Sequence, residues 1–364
     1  MRLDPIIYYA VAGLLFIAAG VALALTARRG RGRGGPQAAA SSPGAADPAT
    51  PDATALPADA GATLQAELTA ASTQLWASAL SATPFDYAVP PDQEAVMLAA
   101  RQALAADPLA DRYFPRRPML MPQLLAAVND PGAPALKLAS IIAQDPVLTG
   151  NILRLANSVF FRLSSTPVES IQRAVVVCGT DGLQSLAATA LVQPVFRAGS
   201  EEHSHFPAVL WERCTRASIA AELCARQWCP GERQAAQLLA LLAALGPLVA
   251  YRVVQDQYRA QLGLRPAPAI FLQVIVRYSV TMAARIATLW QSPPRIVAVL
   301  RGLDPQEPLE RALQAGELLA TFSLLVAGGQ MAEQDCAARA LAAGIPQALF
   351  TAVWARLHRS IDGQ

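Results

Sequence analysis

The sequence predicts an all-α protein, and three observations lead to this prediction. Hydrophobic residues make up 53% of the 364 residues, and many of them are alanine, the strongest helix former. From Leu64 and Leu68 onward, large apolar residues recur at roughly helical spacing. Prolines such as Pro146, Pro294 and Pro308 fall between these periodic segments, where helices begin and end. We therefore expect a bundle of helices punctuated by proline.

The first periodic segment is an apolar run near the N-terminus. Residues 6–25 carry no charge, and about twenty residues of helix span roughly 30 Å, the thickness of a hydrocarbon core. Tyr8 and Tyr9 lie at one end of the run, and four arginines follow its other end within residues 28–33. The positive-inside rule then predicts one transmembrane helix over residues 5–27, with the bulk of the chain in the cytoplasm.

A cleaved signal peptide is the alternative interpretation of this run. Ala22-Leu23-Ala24 resembles a small-x-small cleavage site. However, the apolar run is longer than a signal peptide requires, and only Arg2 precedes it, whereas arginines crowd its far side. The pattern therefore favours a retained anchor.

The rest of the chain divides by composition. Residues 28–62 are rich first in Arg and then in Pro and Ala, and such a stretch cannot bury enough surface to fold, so we expect a partly extended linker. The pattern of residues 63–117 predicts a short helical segment, a helical preface that precedes the main domain. The main domain is predicted to cover residues 118–305. The apolar helices of residues 306–364 are expected to pack on that domain. In all, the chain then combines one anchor, one linker and one helical body.

The charge distribution and the cysteine spacing argue against several classes of function. Residues 1–34 hold five arginines and one aspartate, so the remainder of this +2 chain is slightly acidic. A body with that balance lacks the basic surface that dominates affinity for nucleic acid, and we expect no nucleic-acid partner. The five cysteines lack CxxC spacing, which argues against a disulfide framework or a zinc site.

The segment 141–161 carries the most specific motif. It contains Asp145-Pro146, then Leu153-Arg154-Leu155-Ala156-Asn157-Ser158, then the aromatic pair Phe160-Phe161. In these features, and in residues 168–179 with Leu183, the chain resembles the HDOD family, the HD-related output domain of bacterial signalling. The resemblance implies a helical fold related to HD phosphohydrolases, and with the anchor it implies a place at the bacterial inner membrane.

An HD phosphohydrolase needs metal ligands, and the resemblance indicates where they would fall. The early histidine would lie near Trp211-Glu212-Arg213-Cys214, which offers no histidine. The His-Asp pair would lie in residues 240–246, where Ala243 and Ala244 occupy the ligand positions. A methyl group cannot coordinate the metals that activate water in such sites. We therefore expect no catalytic residue, no metal and no cofactor.

One other cluster could hold a metal. His203 and His205 lie beside Glu201 and Glu202, and both residue types are metal ligands. No third anchored ligand comes from elsewhere in the pattern, so a solvated loop between helices is the favoured interpretation. His358 stands alone near the C-terminus and is expected to be exposed.

The family motif itself offers candidate binding residues. Asp145 is most simply a helix cap. Asn157 and Ser158 fall at a helix end, where they could satisfy backbone groups. Together with Arg154 and the neighbouring aromatics, the same residues could instead contact a partner. The sequence is compatible with a structural role and with a partner-binding role for these residues, and it favours the structural role.

These inferences predict a membrane-anchored, non-catalytic signal-transduction module that binds a signalling protein or a small ligand through its HDOD domain. A phosphohydrolase or phosphodiesterase of the HD superfamily is the alternative, disfavoured by the missing ligands. A purely structural membrane scaffold is a third possibility.

Overall fold

The computed structural model describes residues 60–81, 88–106, 113, 138–139, 142–143, 146–158, 161–163, 166–197, 205–261, 263–304 and 306–358. The predicted anchor at 5–27, the linker up to residue 59, Asp145, and the acidic-histidine residues 201–203 lie outside these ranges. No strand occurs in the part of the chain that is described. The all-α prediction is thus confirmed for these residues.

Twelve α-helices are present among the described residues. They are α1 (Ala60–Ala79), α2 (Glu94–Ala105), α3 (Pro146–Ala156), α4 (Ile171–Arg197), α5 (His205–Trp228), α6 (Arg233–Ala243), α7 (Leu245–Ala260), α8 (Pro268–Leu289), α9 (Pro294–Arg301), α10 (Pro308–Ala327), α11 (Glu333–Ala342) and α12 (Gln347–Leu357).

Prolines and glycines set several helix boundaries. Pro268, Pro294 and Pro308 each stand in the first turn of a helix, where a missing N–H is harmless and the fixed φ is already helical. Gly302 ends α9 in the left-handed conformation, with φ 66°, which glycine adopts without a Cβ penalty. The predicted proline punctuation at Pro294 and Pro308 is therefore confirmed.

The centre of the molecule is the crossing of α5 and α10. Both helices are buried along most of their length. A Cβ on Gly316 would lie 2.4 Å from the backbone nitrogen of Ala221, so the two helices approach as closely as their backbones allow. α6 packs against α5, while α7 and α8 form a second tightly packed pair.

The N-terminal helices belong to the same core. An aromatic ladder runs from Trp76 through Phe206 and Tyr251 to Phe271, with ring centroids 5.3, 4.7 and 5.1 Å apart. It joins α1 to α5, α7 and α8, and such contacts add to the burial energy of each ring. The helices predicted as a preface thus share one hydrophobic core with the main domain.

Among the residues that the structure describes, two apolar helical stretches are long enough to cross a membrane by length and composition. They are Pro230–Ala260 and Pro268–Leu289, whose most apolar windows are 89% and 56% buried inside the protein. Interior helices of a globular domain pass the same test. These stretches belong to the core described above.

Candidate functional site

Arg213 lies in the segment Trp211–Cys214, near which the resemblance places the early histidine. It lies in the middle of α5, and its side chain is only 6% exposed. Its guanidinium donates from Nη1 to Glu317 Oε1 at 3.1 Å and from Nε to Thr321 Oγ1 at 2.9 Å. It also lies 5.2 Å from the ring centre of Trp76. A guanidinium carries only donors and stays protonated, so it cannot ligate a metal.

The second ligand position lies at the junction of α6 and α7. Ala243 ends α6 and is half-buried, and Ala244 links the two helices and is buried. Gly246 follows, and a Cβ there would lie 2.0 Å from the carbonyl oxygen of Ser279 in α8. The junction is therefore tightly packed with small residues. Among the described residues, no three His, Cys, Asp or Glu side chains gather as a metal site.

The two described histidines are far apart in the sequence and differ in their surroundings. His205 begins α5 and is exposed. His358 is also exposed, as expected, but it does not stand alone. Its Nε2 lies 3.2 Å from Ser323 Oγ, its Nδ1 lies 3.1 Å from the carbonyl oxygen of Trp354, and its ring packs on the Trp354 ring.

The cysteines are all free thiols. Burial raises the pKa of Cys214 and Cys224, which are completely enclosed. Burial also raises the pKa of Cys229 and of Cys336 to about 11, and it raises the pKa of Cys178. The thiolate is the nucleophile, and the raised pKa values keep these thiols protonated at neutral pH.

Asn157 uses its side chain within the protein. Its Nδ2 donates to the carbonyl oxygens of Leu153 and Val168 at 2.9 and 2.8 Å, and its Oδ1 accepts from the Val168 backbone N–H at 2.7 Å. The amide thereby fastens the end of α3 to the segment that leads into α4. This geometry fits the structural reading of Asn157, and a partner contact remains a prediction.

The neighbouring motif residues have different surroundings. Ser158 Oγ donates to the carbonyl oxygen of Leu155 at 2.7 Å, which closes the last turn of α3. Arg154 is exposed and hydrogen-bonds to Asn151 on the same helix. Phe161, which follows the motif, is buried. The structure therefore brings Asn157 and Ser158 together at the helix end and directs Arg154 to the surface.

A polar cleft beside this motif was missed by the sequence reasoning. It has a volume of about 520 Å³ and lies between the loop after α3 and helices α4, α5, α6 and α12. Arg226, Arg233 and Arg356 line it, together with Asp181 and Glu222. These residues come from four helices spread over much of the chain, so no local pattern brings them together.

The fold defines the class of protein: an all-helical domain of the HD-like type. The family model of the HDOD domain matches residues 114–303, just over half of the chain. The chain belongs to the HDOD domain family. A comparison with the curated proteins finds no significant match.

Several solved structures are similar to this chain. An HDOD domain protein of unknown function from Geobacter sulfurreducens has 19% identity and a TM-score of 0.47, with 64% of this chain and 78% of that chain covered. A "Putative phosphohydrolase" from Shewanella amazonensis SB2B has 20% identity and a TM-score of 0.49, covering 72% and 94%. The response regulator MmoQ from Methylococcus capsulatus has 20% identity and a TM-score of 0.35, covering 70% and 96%.

Proposed function

We propose that this protein is a non-catalytic signal-transduction module, anchored in the bacterial inner membrane by residues 6–25. Its HDOD domain would face the cytoplasm and bind a signalling protein or a small ligand. The observation that carries the proposal is the substitution of the ligand positions. Ala243 and Ala244 stand where the resemblance expects a histidine and an aspartate, and the segment 211–214, near which it expects the early histidine, contains none.

The surroundings of these positions support the same conclusion. The guanidinium of Arg213 is already engaged by Glu317 and Thr321, and Ala244 is buried against its neighbours. A pair of catalytic cations needs oxygen or imidazole ligands and an open coordination position for water. Neither a fixed positive charge nor two methyl groups supply these.

The test is metal content combined with turnover. The full-length protein would be purified after growth with added Mn, Fe and Zn, and its metal content measured by mass spectrometry. We expect less than stoichiometric metal and no hydrolysis of bis(4-nitrophenyl) phosphate above the buffer rate. Stoichiometric metal with turnover that a chelator abolishes would instead support the HD phosphohydrolase.

A second measurement separates a signalling module from a structural scaffold. Cross-linking of the full-length protein in native membranes, followed by capture, should recover a partner whose yield changes with the growth condition. A scaffold would give the same set of partners under every condition.

A further inference from the structure

The cleft beside the family motif has the size of a small-molecule site. Its volume of about 520 Å³ falls within the range of about 300–1,000 Å³ that is typical of ligand pockets. Neither Ala243 nor Ala244 is among its lining residues. The cleft is therefore separate from the substituted metal-ligand positions.

The charges around the cleft favour an anion. Three arginines line it against two carboxylates. Arg233 pairs with Asp181 at 2.6 Å and with Glu222 at 3.5 Å, while Arg226 lies 3.8 Å from Glu222 and keeps 62% of its side chain exposed. The guanidinium of Arg226 is therefore accessible at the edge of the cleft, and Arg356 on α12 adds a third positive charge. Arginine binds phosphate through two parallel N–H donors.

The buried polar side chains of the cleft are fixed in place. Ser185 Oγ donates to Gln237 Oε1 at 2.5 Å, and Gln237 Nε2 donates back to the Ser185 carbonyl oxygen at 3.3 Å. Gln237 is 3% exposed, and Ser218 is completely buried. Because these groups already have partners, they shape the cleft without a desolvation cost that a ligand would have to offset.

The remaining lining is apolar. Phe161, Leu186 and Ile219 are buried at the cleft, while Leu163 is 53% exposed and lines it as well. Phe161 and Leu163 lie in the loop whose far end is held by the bonds of Asn157 to Val168. Apolar side chains beside a cluster of guanidinium groups favour a ligand that combines a planar apolar group with a negatively charged group.

We propose that this cleft binds a small organic phosphate, with the phosphate at Arg226 and a planar, largely apolar body against Phe161 and Leu163. The proposal deepens the proposed function, on which it rests, by naming the class of ligand that the domain would sense. Phe161 and Leu163, at the end of the family motif and just after it, would then form one side of the ligand site.

The experiment measures binding of 4-nitrophenyl phosphate to the full-length protein by equilibrium dialysis. We expect saturable binding at one site, and at least tenfold weaker binding of both 4-nitrophenol and inorganic phosphate, which each lack one half of the ligand. Arg226→Gln and Leu163→Asp should each weaken binding at least tenfold. The first removes a positive charge, and the second adds a negative one.

Arg259→Gln is the matched control, because Arg259 is an exposed arginine near the end of α7 and does not line the cleft. It should bind the probe as the unmodified protein does. Circular dichroism of all three variants should match the unmodified protein, since every altered side chain is largely exposed. Absence of saturable binding, or equal binding by the two cleft variants and the control, would overturn the cleft proposal.

The same probe keeps this proposal apart from the proposed function. Metal-dependent release of 4-nitrophenol would contradict a non-catalytic protein and leave the cleft as a binding site. Failure to bind the probe would contradict the cleft proposal but would not affect the proposal that the protein is non-catalytic.

Discussion

At the scale of the residue, the side chain of Asn157 stabilises the conformation of the family motif. Its amide makes three hydrogen bonds to backbone groups of Leu153 and Val168. In Asn157→Ala the carbonyl and N–H of Val168 would lose these partners, and each half-buried unpaired group costs about 1–3 kcal/mol. We expect the free energy of unfolding to fall by about 2 kcal/mol or more, measured by urea unfolding.

The variant Arg154→Gln, on the same helix, is the control that distinguishes a loss of stability from a loss of partner binding. Arg154 is exposed, so this variant should keep its stability within about 0.5 kcal/mol. If Asn157→Ala keeps its stability and loses partner binding, the structural reading of Asn157 is wrong.

Arg213 forms a buried ion pair with Glu317 in the segment near which the resemblance places the early histidine. The side chains of Arg213 and Glu317 are 6% and 14% exposed. Arg213→Met would leave the carboxylate of Glu317 buried without its partner, which costs about 3–5 kcal/mol. We expect a loss of that order in thermal or urea unfolding.

The double variant Arg213→Met/Glu317→Leu tests whether pairing is the cause. Replacing both members of a buried pair with apolar residues is often neutral, so most of the lost stability should return. Equal destabilisation of the single and the double variant would show that the ion pair is not what the single variant disturbs.

At the scale of the element, α4 depends on a glycine at its kink. Gly179 lies within Ile171–Arg197 with φ 72° and ψ −177°, a region that is essentially open to glycine alone. A side chain there costs about 1–3 kcal/mol. Gly179→Ala should therefore lower the free energy of unfolding by that amount, although open space surrounds the position.

Gly150→Ala is the control for this prediction. Gly150 is an exposed helical residue of α3 with equally open space around it. Alanine is favoured over glycine in a helix by up to about 1 kcal/mol, so this variant should be neutral or stabilised. The two substitutions are chemically identical, and an equal effect of both would contradict a role for the backbone conformation.

At the scale of the whole molecule, the predicted anchor would determine the location of the domain in the cell. The full-length protein should sediment with membranes and resist carbonate extraction, whereas a chain that begins at residue 56 should stay in the supernatant. The reason is the uncharged apolar run of residues 6–25. Sedimentation of the expressed proteins followed by immunoblotting measures both outcomes.

The mass of the purified protein tests the signal-peptide alternative. Cleavage after Ala24 would remove residues 1–24 and release the chain from the membrane. An intact mass with membrane association would support the anchor, and a shortened mass in the periplasm would exclude it.

The sequence by itself determined the helical class, the family and the helix starts at Pro294 and Pro308. These follow from local signals: spacing along one helix, fixed backbone angles at proline, and motif residues close together in the chain. The alanines at positions 243 and 244, on which the prediction of absent metal ligands depends, could also be identified directly, because a residue's identity does not depend on its neighbours in space.

Only the tertiary structure decided how distant residues meet. The Arg213–Glu317 pair joins residues 104 positions apart, and the cleft collects Phe161 from a loop and Arg226 and Arg356 from two separate helices. Asn157 likewise acquires its bonds only when Val168 is brought back to α3. Side-chain contacts of this kind depend on how the helices pack against one another, and periodicity within a single helix carries no record of that packing.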